Sequence, residues 1–104
     1  MSFELKYAHG LEPADARARL VALGEYLSNK HGLSVSWLND DEARVTGKYL
    51  VVSIEGTLKL SGADAEFKGK DPGMLWRGKA REYLLGKLKK YLDPATPVTA
   101  LPRG

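Results

Sequence analysis

The chain has no cysteine in its 104 residues, which removes disulfides, thiolate nucleophiles and thiolate zinc sites together. Histidine is nearly as scarce. His9 and His31 each stand beside a glycine, in no H-x-x-x-H or H-E-x-x-H spacing, so turn and cap roles account for them and no metal site is expected. The G-x-x-x-x-G-K-[ST], G-x-G-x-x-G and G-x-S-x-G patterns are all missing, and Thr46-Gly47-Lys48 alone does not make a phosphate loop. Asp40-Asp41-Glu42 lacks the alternating oxygens and the bidentate glutamate of a calcium loop, and a turn explains it better. No apolar run approaches a membrane span, and the first seven residues hold no signal-like apolar core, so a cytoplasmic protein is expected. Nothing here offers a catalytic residue, a metal ligand or a cofactor motif, and a non-enzymatic role is the expectation.

What the chain does contain is an ordinary globular composition, 43% hydrophobic and 28% charged, in a length that supports one core. Phe3, Leu5 and Tyr7 alternate with polar neighbours and predict a strand with one buried face. Pro13 suits the first helical position, where its missing N–H would be unpaired in any case. Ala16, Leu20, Leu23 and Leu27 then form an apolar stripe on a helix of about Pro13–Lys30. His31-Gly32 predicts its end, because glycine accepts the left-handed cap conformation. From Leu33 to Lys70 the pattern returns to period two. Leu33, Val35 and Trp37 share a face, and Ala43–Thr46, Tyr49–Glu55, Thr57–Ser61 and Ala65–Lys68 are further strand candidates. Ser61-Gly62-Ala63-Asp64 predicts a hairpin turn, while Gly47 and Gly56 mark either turns or bulges. The segment 94–104, with its prolines and no periodicity, reads as a disordered tail after a single domain spanning 1–93.

The expected architecture is therefore α+β in two layers. A first strand and helix precede an antiparallel meander of three to four strands, and a long C-terminal helix follows, with both helices on one face of the sheet. The order is that of a miniature helix-grip fold.

That last helix, preceded by Asp71-Pro72, concentrates the charge. Lys70–Leu92 carries seven Lys/Arg against two acids, whereas residues 1–69 carry eight against ten, so the formal charge of +3 belongs to one element. At 100° per residue, Ala80, Leu84, Leu88 and Tyr91 centre its apolar arc, with Trp76, Leu85 and Leu92 on the flanks. Leu84 and Leu88 are both expected in the core. Arg77 and Arg81 fall inside the same arc. Their stems are expected to pack while their guanidiniums reach acids such as Glu55 or Glu66, or else to line an anion pocket. Lys79, Lys87, Lys89 and Lys90 form the candidate face for an anionic partner, nucleic acid included, although +3 is a modest charge for that purpose and no aromatic RNA motif accompanies it. Trp37, Tyr49, Trp76 and Tyr83 are the candidate walls of a cavity under the helix, in which Arg77 or Arg81 would hold the acid group of an apolar ligand.

Several short features resemble one family. They are His9-Gly10-Leu11 after the first strand, Ala14 to Arg17 opening the helix, Gly32-Leu33 leading to Trp37, the glycine-punctuated strands, and Tyr91-Leu92-Asp93 at the end. Over about Phe3–Asp93 the chain is similar to the small bacterial polyhydroxyalkanoic acid system family, from whose Phe- and Lys-bearing pattern Trp76-Arg77-Gly78-Lys79 departs. The resemblance implies a cytoplasmic bacterial accessory protein connected with polyhydroxyalkanoate storage granules, and it supplies no catalytic residue.

Overall fold

A computed structural model describes residues 2–104. Five strands form one antiparallel sheet in the order β1-β5-β4-β3-β2: β1 Ser2–Ala8, β2 Ser34–Trp37, β3 Glu42–Tyr49, β4 Val52–Ser61 and β5 Asp64–Lys70. Strands β2 to β5 are the expected meander, at its four-strand limit. Helix α1, Pro13–His31, joins β1 at one sheet edge to β2 at the other, and α2, Met74–Tyr91, follows β5. The two helices touch each other and cover the same sheet face, α1 meeting β2 and β4 while α2 meets β1. No described helix is long and apolar enough to cross a membrane.

The helix ends follow their sequence signals. Pro13 opens α1, and Gly32 closes it at φ 71° with its N–H donating to the Ser28 carbonyl at 2.9 Å. Before α2, Asp71 accepts the Gly73 N–H at 2.9 Å, but the capping position itself falls on Gly73 and the helix starts at Met74.

Both questioned glycines lie inside strands. Gly56 pairs with Gly69 of β5. A Cβ on Gly56 would come within 2.5 Å of the Phe67 ring, and one on Gly69 would fall onto the Glu55 carbonyl oxygen. The pair thus lets β4 and β5 approach closely and lets Phe67 fold over the sheet. The true β3–β4 turn is Leu50-Val51, between the paired residues Tyr49 and Val52. Leu50 takes φ 57°, a left-handed conformation that costs a non-glycine residue about 1–2 kcal/mol.

The core gathers Phe3, Leu5, Leu20, Leu23, Leu58 and Leu88 with the aromatic ring of Tyr91. Burial along α2 is uneven. Leu88, Tyr91 and Leu92 are buried, Ala80 and Leu84 only half-buried, and Met74 and Leu75 exposed. The C-terminal half of α2 is therefore packed down, while its N-terminal half overhangs an opening. This corrects the expectation that Leu84 is core.

Residues 94–104, read from sequence as disordered, are placed against α1. A short 3₁₀ turn at Val98–Ala100 delivers Leu101 into the core, and Tyr91 O–H donates to the Pro102 carbonyl. Asn29 Nδ2–H donates to the Arg103 carbonyl at 2.6 Å, and the Arg103 guanidinium pairs with Glu25. One apolar anchor and a prolyl chain with little conformational entropy to lose are enough to hold such a segment.

Candidate functional site

The overhang of α2 encloses an open-mouthed cavity of about 230 Å³. Its floor is Val45, Ile54, Leu58 and Phe67 from the sheet, its back Leu23 and Leu27 from α1, and its roof Trp76, Ala80 and Leu84 from α2. The sequence explains the space. Gly56 lets the Phe67 ring lie low across the middle of the sheet, and Ala80 brings only a methyl to the roof. Nearly all of the wall is carbon, and the polar groups (His31, Tyr49, Tyr83, Glu55, Lys70 and Lys79) border it.

One side of the mouth is an aromatic and imidazole cluster. His31 Nε2 lies 2.8 Å from the Tyr83 hydroxyl, and the His31 ring meets Tyr49 edge-on at 5.1 Å between centroids. Desolvation lowers the His31 pKa below 6.5, helped by the nearby charges of Lys30 and Lys87. Burial pushes Tyr83 up to about 12, and the neighbouring tyrosines add to this. Tyr83 thus keeps its proton, and its hydroxyl and the imidazole share one hydrogen bond at Nε2. The bond ties the C-terminus of α1 to the roof.

A stability consequence follows from the sign of the His31 shift. The folded-state pKa is below the unfolded value, so between the two the unfolded chain binds more protons and stability rises with pH. Stability present above pH 6.5 is expected to fall as the pH drops through the folded pKa. Urea midpoints at about pH 8 and pH 5.5 should differ in the native chain by more than in His31→Gln, since that variant lacks the shifted titration. Identical differences in the two chains would exclude His31 as the source.

The sequence-derived site residues divide into two groups. Tyr49, Trp76 and Tyr83 do line the cavity. Trp37 does not. It lies near the far end of β2, under the Arg17 guanidinium at 4.9 Å from its ring centroid. Arg77 and Arg81 do not line the cavity either, and neither pairs with Glu55 or Glu66. Arg77 Nη2 pairs with Asp71 at 2.6 Å, and Arg81 Nη2 donates to the Glu4 carbonyl at 2.9 Å with its guanidinium over Phe3. Charge-assisted bonding from Arg77, then the Gly73 N–H, holds the Asp71 carboxyl below the usual carboxylate range. Glu55 is taken by Arg44 at 2.9 Å. Local register explains these partners, because Asp71 precedes the helix by one turn and Arg44 neighbours Glu55 diagonally across β3 and β4.

Of the lysine face, Lys89 and Lys90 are exposed, and Lys79 reaches the mouth of the cavity. Lys87 is instead half-buried, with its ammonium 4.3 Å from the centroid of Tyr26 and 5.5 Å from that of Tyr83. It therefore belongs to the aromatic cluster. Sequence reasoning missed His31 as a site residue, since its glycine neighbour explained it as a cap; Tyr83, its partner, lies 52 residues away. Lys70 was also missed, because nothing in a strand-end lysine points to a cavity.

A model of the polyhydroxyalkanoic acid system protein family matches residues 3–95, from β1 through the end of α2. Neither a curated protein nor a solved structure matches the chain. The description of the family names a system and assigns no reaction. Nearly the whole ordered fold, cavity included, falls within the match, and the chain belongs to the polyhydroxyalkanoic acid system protein family.

Proposed function

We propose that the protein is a non-enzymatic binding protein that holds one short apolar chain bearing an acid group, of hydroxyacyl or fatty-acyl type, in the cavity beneath α2. The observation that carries this reading is a carbon-walled cavity whose polar groups stand at its mouth. Such a site buries a chain by the hydrophobic effect and orients it through a few head-group contacts. Its size argues for a small occupant, since about 230 Å³ lies below the roughly 300–1,000 Å³ of sites for drug-sized ligands. The acid group would meet Lys70 or Lys79, with Tyr83 and His31 as neutral hydrogen-bonding neighbours; Arg77 and Arg81 have other partners. Membership in a polyhydroxyalkanoic acid family supports an acyl ligand and a cytoplasmic place beside storage granules.

The two tryptophans allow a direct test. Trp37→Phe leaves Trp76, in the cavity roof, as the sole indole. Titrating that variant with 3-hydroxyoctanoate should shift Trp76 emission to the blue and saturate below about 1 mM, the concentration corresponding to roughly 4 kcal/mol of binding. No spectral change by that concentration, in a folded protein, would sink the proposal.

A further inference from the structure

Four large apolar side chains are almost wholly in solvent, and they occur as two adjacent pairs. Leu50 and Val51 are 70% and 81% exposed at the β3–β4 turn, and Met74 and Leu75 are 84% and 88% exposed in the first turn of α2. Single exposed apolar residues need no explanation. These pairs share one location. Tyr49 and Val52, which flank the first pair, line the same cavity as Trp76, which follows the second, and Pro72, two residues before it. The mouth of the cavity is thus bordered by two protruding apolar tips from separate elements. Neither tip matches its local context. Two-residue hairpin turns favour Asn and Gly, yet Leu50 holds a left-handed φ here with no buried contact in return. First helical turns favour acids, and α2 has none there.

Lysines surround the tips. Lys48 stands two residues before Leu50, and Lys70 and Lys79 line the mouth. Among the described residues none of the three has a carboxylate within ion-pair distance, whereas the nearby acids Glu55 and Asp71 are already held by Arg44 and Arg77.

We propose that this edge docks on an anionic lipid layer, with the Leu50-Val51 and Met74-Leu75 tips inserted among the acyl chains and Lys48, Lys70 and Lys79 at the head groups. Apolar insertion and cationic attraction reinforce each other at such an interface. The charge also decides against a second copy of this chain. A two-fold contact places a patch against itself, and here it would set three unpaired lysines against the same three. Docking in this orientation opens the cavity directly onto the acyl region. The proposal needs no ligand in the cavity and stands or falls separately from the chain-binding reading.

Co-sedimentation of the full chain with sucrose-loaded vesicles tests it. Vesicles of phosphatidylglycerol and phosphatidylcholine in equal parts should retain the protein, and pure phosphatidylcholine vesicles should retain far less. Val51→Asp combined with Leu75→Asp should lower the partition onto anionic vesicles about tenfold, because binding scales with inserted apolar area. Leu38→Asp, at an exposed leucine in the β2–β3 connection at the opposite end of the sheet, should leave it unchanged. Circular dichroism and urea denaturation should show the double variant folded like the native chain. Three results would overturn the proposal: no retention on anionic vesicles, equal retention on both kinds, or equal loss in Leu38→Asp. A dimer in sedimentation velocity that the double variant abolishes, without vesicle retention, would instead assign the edge to a second copy.

Discussion

Truncating Arg19 to alanine is expected to lower the unfolding free energy by about 3 kcal/mol in urea denaturation, because charged hydrogen bonds contribute about 1.5–3 kcal/mol each. Arg19 is 4% exposed on the inner face of α1. Its Nη1 donates to the carbonyls of Tyr91 and Asp93, at 3.1 and 2.8 Å, and its Nε to Asp15 at 3.0 Å. The first two acceptors are at the C-terminal end of α2, where carbonyls have no intrahelical partner. The side chain therefore satisfies that helix end and joins the two helices. Arg19→Lys should restore only part of the loss, since one ammonium lacks the planar fork that reaches both helices. A loss below about 1 kcal/mol for the alanine variant would show that water replaces the guanidinium there at little cost.

Leu88→Ala should destabilise by about 2–5 kcal/mol, and Leu84→Ala by about half as much. Leu88 is fully buried where α2 is packed down, so truncation leaves a closed void. Leu84 faces the open cavity and is already in partial contact with solvent, so its removal widens an existing space. Urea denaturation of both variants measures the ratio. Equal losses would mean that α2 lies flat along its whole length, with no cavity beneath it.

The difference between those leucines marks the limit of periodicity as a guide. Ala80, Leu84, Leu88 and Tyr91 do share one face of α2, as the 100° spacing requires. Spacing fixes direction and not separation, and the gap beneath the first two depends on how the helix meets the sheet, where the Phe67 ring lies over Gly56. Other elements were legible because their signals are local: the alternation of β1, Pro13 and Gly32 bounding α1, and the turn at Gly62. The Leu50-Val51 turn was illegible for the opposite reason. It contains no turn-forming residue, and an apolar, β-branched run reads as strand. Within the site, Tyr49, Trp76 and Tyr83 could be nominated as amphipathic aromatics. The arginines misled, because a projection onto the helix face ignores a nearby Asp71 or an edge carbonyl at Glu4.

The position of β1 has a kinetic meaning. Among themselves, strands β2 to β5 pair in sequence order, so their hairpins close short loops and form readily. Strand β1 pairs Ser2 with Lys70 and Ala8 with Asp64, joining opposite ends of the strand region. During synthesis β1 must wait for β5 to leave the ribosome before the two can pair. Closing that pairing is the long-range step of the topology and the one expected to set the folding rate. Until it closes, α2 lacks the strand it rests on, so the cavity is expected to form with that step.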